Sequence, residues 1–164
     1  MAKKIALVNM KGGVGKSTLA AQLAWQFATF TKWAKKVLVI DMDPQFNVSQ
    51  YMLGIKRYKQ INDAEEPTIW DIFEQYTQTP GVKKETVDLK KCVHTVIEFV
   101  GKSRIDIIPS RLELAFSLRN PAQKETLVSQ FVSKIEENYD LIFVDCPPTE
   151  SLFTTAAYLA SDYI

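Results

Sequence analysis

The stretch from Lys4 to Asp41 constrains this chain more than any other. Lys4-Ile5-Ala6-Leu7-Val8 is a short, nearly continuous apolar run of the kind buried in a parallel sheet. It stops at Asn9, and Met10-Lys11-Gly12-Gly13-Val14-Gly15-Lys16-Ser17-Thr18 follows, with three of the chain's six glycines packed into four positions. Leu19, Ala20, Leu23, Ala24, Phe27 and Phe30 then recur at helical spacing, which predicts a helix with these residues on its inward face. Val37-Leu38-Val39-Ile40 predicts a second strand, running into Asp41-Met42-Asp43-Pro44. Strand, glycine loop, helix and strand make a βαβ unit.

Glycines at that junction allow the backbone to curl into a nest of inward-pointing N–H groups that approaches phosphate oxygens closely. The helix opening at Ser17 adds the positive end of its dipole. In such a loop Lys16 reaches the β- and γ-phosphates as a point charge, and Ser17 places a hydroxyl on Mg²⁺. The pattern predicts a nucleoside triphosphate site. It departs from the common G-x-x-x-x-G-K-[ST] loop at its first position, where Met10 stands in place of glycine. Lys11 brings a second cation beside Lys16, and that cation calls for a triphosphate to receive it, its own or a neighbouring molecule's.

Further along, Asp63–Pro67 predicts a surface loop, Ile69, Trp70, Ile72 and Phe73 a short amphipathic helix, and Pro80-Gly81 a turn. Leu89, Val93, Val96 and Ile97 can share one helical face. Ile105–Ile108 predicts a strand stopped by Pro109, and Thr126–Asn138 a helix with Leu127, Phe131, Val132 and Ile135 inward. Leu141–Val144 is a fourth apolar strand, ending in Asp145-Cys146-Pro147-Pro148; a helix over Ser151–Ala160 and the start of another strand at Tyr163 follow. Alternating strands and helices imply a parallel sheet covered on both faces, whose ligands bind beyond the carboxyl ends of the strands. Three strands end in the glycine loop, Asp41 and Asp145, so these should converge at one edge. From position alone, either aspartate serves equally well as a helix cap or in a solvated turn.

Composition narrows the class. At 46% apolar and 24% charged the chain has the balance of a globular protein, and no run approaches a membrane span. Cys92 and Cys146 are far apart, as expected of reduced thiols. The net charge of +1 is unevenly distributed: residues 1–60 carry 10 basic and 2 acidic side chains, residues 61–164 carry 10 and 17. That asymmetry either marks a polyanion-facing surface or disperses when the halves interleave. His94 is the only histidine, which leaves little for a histidine-based metal site. Trp25, Trp33 and Trp70 read as packing residues.

Four blocks resemble the ParA/MinD group of ATPases in order along nearly the whole chain. Lys11-Gly12-Gly13-Val14-Gly15-Lys16-Ser17-Thr18 resembles their deviant Walker A motif, and Asp41-Met42-Asp43-Pro44-Gln45-Phe46-Asn47 the ParA segment D-x-D-P-Q-x-N. Ile108-Pro109-Ser110 with Leu112-Glu113-Leu114-Ala115 is similar to the family's middle strand and loop, and Tyr139–Pro148 to its Walker B strand and Pro-Pro turn. The resemblance implies a three-layer P-loop NTPase fold with a mainly parallel twisted sheet. Residues 1–164 would be one P-loop ATPase domain, lacking a C-terminal portion that carries the adenine pocket and much of the DNA-binding surface. It implies an ATP- and Mg²⁺-dependent enzyme, slow without a partner because no arginine finger is evident in cis. Nucleotide would be held by residues 11–18. Lys11 would act in trans in an ATP-dependent homodimer, and Lys16 on its own triphosphate. Asp41 would position the attacking water, and Ser17, Asp41 and Asp145 would face the metal. The implied partners are non-specific DNA and a ParB-like centromere-binding activator, and the implied location is the cytoplasm, on the nucleoid. Lys56, Arg57 and Lys59, or Lys83, Lys84, Lys90, Lys91, Lys102 and Arg104, are candidate phosphate contacts. After Pro147-Pro148 the chain departs from the family pattern with Thr149-Glu150-Ser151. A MinD-like membrane-associated ATPase and a non-catalytic nucleotide-binding fragment are the alternatives; an iron-protein-like electron carrier would need cysteines in glycine-rich surroundings, which Cys92 and Cys146 lack.

Overall fold

The computed structural model describes residues 1–30, 32–75, 88–119 and 121–164; the Pro80-Gly81 turn, Lys83 and Lys84 lie outside them. Five strands form one sheet: β1 (Lys3–Leu7), β2 (Lys36–Asp41), β3 (His94–Glu98), β4 (Arg104–Ile108) and β5 (Leu141–Asp145). Their spatial order is β1-β5-β2-β4-β3, parallel throughout except for β3, which runs antiparallel on the edge beside β4. Among the described residues six α-helices accompany them: α1 (Lys16–Thr29), α2 (Asn47–Leu53), α3 (Ile55–Asp63), α4 (Ile69–Phe73), α5 (Leu127–Val132) and α6 (Leu152–Ala160).

Alternation along each central strand serves two cores, which is why these strands are apolar on both sides. Val37, Val39, Ile105, Ile107 and Phe143 pack under α1 and α2. Leu38, Ile40, Ile108, Ile142 and Val144 face α4, α5 and α6. The inward side of α1 is made of alanines: Ala20, Ala21, Ala24 and Ala28 are buried, whereas Leu19 and Phe30 are largely exposed. Helical spacing located the helix and most of its inward face, since Ala20 and Ala24 are buried and Leu23 and Phe27 pack on the core; only Leu19 and Phe30, at its ends, point outward. Small residues let α1 lie close to β2, β4 and β5, and that proximity brings the loop preceding α1 down onto the strand ends.

Three other expectations change. Leu89, Val93, Val96 and Ile97 do not share a helix: Leu89–Cys92 is a single 3₁₀ turn, and His94–Glu98 is β3. A bulge between Thr95 and Ile97 breaks the two-residue alternation that would have identified a strand. The helix expected over Thr126–Asn138 is α5, a tightened turn and a 3₁₀ turn at Glu136–Asn138. The Ser129 and Ser133 hydroxyls donate to the carbonyls of Thr126 and Gln130, a competition that weakens helical continuation. The region from Asn47 to Asp63, mostly unassigned from sequence, holds α2 and α3, separated by Gly54 at φ 74°. At the far edge, Tyr163 pairs with Ile5 in parallel, as the incipient strand predicted: the Ala6 N–H donates to the Tyr163 carbonyl (2.9 Å).

Ala24→Leu should overfill the α1–sheet layer and cost about 1–3 kcal/mol, lowering the melting temperature by several degrees. Leu19→Ala should change stability by less than about 0.5 kcal/mol, measured in the same thermal melts.

Candidate nucleotide site

In-register pairing puts the ends of β1, β5 and β2 at one level, since Leu7 pairs with Asp145 and Asp145 with Asp41. The glycine loop leaves β1 immediately above them. It turns through Gly13 (φ 73°) and Gly15 (φ 88°), left-handed conformations in which a Cβ would be strained. Asn9 Oδ1 accepts the Lys11 N–H at 2.9 Å and stiffens the loop's start. Gly15 supplies no side-chain cap to α1, so the 14-residue helix presents its N-terminal dipole to the loop. An open cleft of about 600 Å³ runs past it, lined by Leu7, Asn9, Val14, Lys16, Thr18 and Gln22 among others. Lys11, Gly12, Gly13, Val14 and Thr18 are exposed there, while Lys16 and Ser17 are half-buried in the first turn of α1.

Asp145 is fully buried, and neither carboxylate oxygen meets a hydrogen-bond donor at good geometry. Burial and the Asp43 charge push its pKa up to about 6, opposed by the Ser17 hydroxyl and the Lys16 ammonium. A buried carboxylate left without donors is costly, on the order of 1–3 kcal/mol or more. The residues fit a hydrated divalent cation, whose waters donate to such oxygens and whose charge offsets the crowding of carboxylates; Ser17 and Asp145 are the side chains that would hold it. Among the described residues there is no cluster of three or more His, Cys, Asp or Glu side chains arranged to hold a metal by themselves, so the remaining ligands have to come from water and phosphate.

Asp41 stands level with Asp145, as expected, but its oxygens are engaged differently. It is also fully buried, but both oxygens are engaged within the chain. Oδ1 accepts the Asp43 N–H (3.0 Å), and Oδ2 accepts the Ser49 N–H (3.0 Å) and the Ser49 hydroxyl (2.6 Å). The Ser49 hydroxyl in turn accepts the Ser110 N–H at 2.9 Å. Asp41 thus ties the end of β2 to the first turn of α2 and, through Ser49, to the chain leaving β4. Burial and the Asp145 charge raise its pKa to about 8, and the three donors oppose them.

Asp43, two residues on, was missed as a site residue. Its charge is felt by Asp145, and its Oδ1 accepts the Gln45 N–H (2.8 Å), which fixes the buried carboxylate in a turn at the end of β2. Both aspartates of D-x-D are visible in sequence; what sequence does not reveal is which one the turn consumes.

The other expectations sort by geometry. The Arg104 guanidinium lies over the Tyr139 ring and its Nε donates to Asp106 (2.8 Å), so it is spent inside the fold, whereas Lys56, Arg57, Lys59, Lys90, Lys91 and Lys102 are exposed. His94 is buried against the Pro67 carbonyl (3.2 Å) and Glu66 (3.4 Å). Trp25 packs on Phe99 and Trp33 on Phe27 and Phe30. Both cysteines are buried, with burial raising their thiol pKa values.

A family model described as an AAA domain matches residues 2–164. The chain belongs to this family, in its ParA-type branch. It is 32% identical over 167 residues to the sporulation initiation inhibitor protein Soj of Bacillus subtilis, covering 100% of this chain and 57% of that protein. It is 29% identical to the chromosome-partitioning ATPase Soj of Treponema pallidum, covering 100% of this chain and 56% of that one. A Borrelia burgdorferi protein described as a plasmid partition protein and solved with AMPPNP superposes with a TM-score of 0.78 at 29% identity, covering 99% of this chain and 60% of that one. The ParA-type chain therefore spans a little over half the length of these relatives.

Asp41→Ala should cost the ParA-type chain about 3 kcal/mol, because Ser49 and Asp43 donors are left buried and unpaired. Asp43→Asn keeps an acceptor for Gln45 and should stay within about 1 kcal/mol. Chemical denaturation of the two variants measures the difference.

Proposed function

We propose that this chain is the nucleotide-binding part of a Mg²⁺-dependent ATPase that serves DNA partition. The observation that carries the reading is the convergence of the glycine loop, the N-terminus of α1, Lys16, Ser17 and the donor-starved Asp145 at one level of the sheet. Residues 12–18 cradle the β- and γ-phosphates through backbone N–H groups, Lys16 neutralises them, and Ser17 and Asp145 hold the hydrated Mg²⁺. Bound there, Mg²⁺ supplies charge neutralisation at the phosphate oxygens. Phosphoryl transfer to water demands mainly positioning and charge compensation. Water attacks the γ-phosphorus, the bond to the β–γ bridging oxygen breaks, ADP leaves with that electron pair, and the water's proton passes to the released phosphate or to solvent. Asp43 takes the water-orienting role first expected of Asp41, because its charge acts on Asp145 and its carboxylate is held by the Gln45 N–H, while Asp41 is committed to α2. The names and ligands of the relatives support ATP as the nucleotide and partition as the process.

Lys11 is exposed at the rim of the loop, and we assign it to the nucleotide of a facing subunit in an ATP-dependent homodimer. The same reading takes non-specific DNA and a ParB-like activator as partners and places the protein in the cytoplasm on the nucleoid. No helix among the described residues is long and apolar enough to cross a membrane.

ATP binding and turnover in single variants test these roles. Lys16→Ala should weaken ATP binding at least about a hundred-fold, the loss of a charge-assisted phosphate contact. Lys11→Ala should bind ATP as a monomer within about three-fold of wild type and lose dimerisation and turnover, since its partner charge lies on the other subunit. Asp43→Asn should retain binding and lose about a hundred-fold or more in turnover. Equal loss of binding in Lys16→Ala and Lys11→Ala would remove the role in trans, and full turnover in Asp43→Asn would remove the water-orienting role.

A further inference from the structure

Among the described residues five non-glycine side chains sit at positive φ. Ala34, Glu65, Lys102 and Gln123 lie in connections outside the D-x-D segment; the fifth, Phe46 at φ 48° and ψ 30°, is the last residue of the Asp43 turn and the N-cap of α2. A bulky residue in the left-handed region is disfavoured and persists only where its surroundings over-determine it. Those surroundings are specific. The Phe46 ring stacks on Tyr58 of α3, with centroids 5.2 Å apart and planes 19° apart. The Tyr58 hydroxyl donates to the Ser110 carbonyl at 2.9 Å, and the Ser110 N–H donates to the Ser49 hydroxyl that bonds Asp41. The ring is therefore clamped to the same framework that anchors the ends of β2 and β4. On the other side, the Phe46 N–H donates to the Asp43 carbonyl (2.9 Å), one residue after the Gln45 N–H that holds the Asp43 carboxylate (2.8 Å).

We propose that Phe46 is a positioning residue: its ring, clamped on Tyr58, locks the turn in which the Asp43 carboxylate accepts the Gln45 N–H. The inference rests on the reading of Asp43 given above, and its catalytic consequence is shared with that reading, while the mechanical consequence is not. A glycine at 46 adopts the left-handed conformation without strain but has no ring to clamp. Relief of strain and loss of the clamp then act in opposite directions on stability and on rate.

The test compares Phe46→Gly and Phe46→Tyr with wild type in the complete protein by two independent readouts. Amide hydrogen exchange should show the Gln45 and Phe46-position amides of Phe46→Gly exchanging about ten-fold faster or more, with β4 and β5 unchanged. Melting temperature should fall by only a few degrees in Phe46→Gly, because relief of the left-handed strain offsets part of the lost ring contact. In the same variant kcat for ATP should fall about ten-fold while KM changes less than two-fold, the signature of lost orientation. Phe46→Tyr, which keeps a stackable ring, should restore both exchange protection and kcat. Wild-type exchange rates at Gln45 and position 46 in Phe46→Gly would overturn the clamp, as would wild-type kcat in that variant. If the wild-type protein itself fails to hydrolyse ATP, the Asp43 reading fails, and the exchange measurement still decides whether the ring holds the turn.

Discussion

Parallel strand register is the constraint on which the site depends. Because Leu7, Asp145 and Asp41 are lateral partners, the glycine loop and two carboxylates arrive at one height with no further device. Parallel strands whose side chains point alternately to two covered faces cannot slip by one residue without exchanging cores, so the register is strongly specified. Val39 and Phe143 belong to one core, Ile40 and Val144 to the other. The apolar residues of the sheet thus hold the chemistry in place from below.

Crowding two carboxylates at that height has an electrostatic cost, and the chain meets it differently for each. Asp41 is compensated internally by three donors and becomes a structural joint between β2, α2 and the end of β4. Asp145 has no comparable set and faces the Ser17 hydroxyl and Lys16 ammonium, which favour its charged form without satisfying its oxygens. The difference separates a carboxylate that maintains the fold from one that is available to a bound cation. The two Asp145 oxygens without hydrogen-bond partners are a cost to stability.

Much of this was legible in sequence, for identifiable reasons. Glycines 12, 13 and 15 before a helix and apolar runs ending in aspartate predicted the loop, four of the five strands and the edge where they meet. The features that escaped were those set by tertiary context. A bulge disguised β3, and serine back-bonding shortened α5. The polar α3 buries only Tyr58 and Ile61, too few apolar positions to reveal a period. The distinction between Asp41 and Asp43 was hidden for the same reason: it depends on Ser49, eight residues downstream of Asp41, and on Ser110 at the end of another strand.

The claim most central to the account is that loop amides, Lys16 and a cation held by Ser17 and Asp145 grip the phosphate tail. Isothermal titration of the protein with ATP and with AMP, each with Mg²⁺ and with chelator, measures that grip directly. The account predicts that ATP with Mg²⁺ binds at least about a hundred-fold more tightly than AMP, and that chelation weakens ATP while leaving AMP unaffected. Equal affinities for ATP and AMP, with no dependence on Mg²⁺, would contradict it.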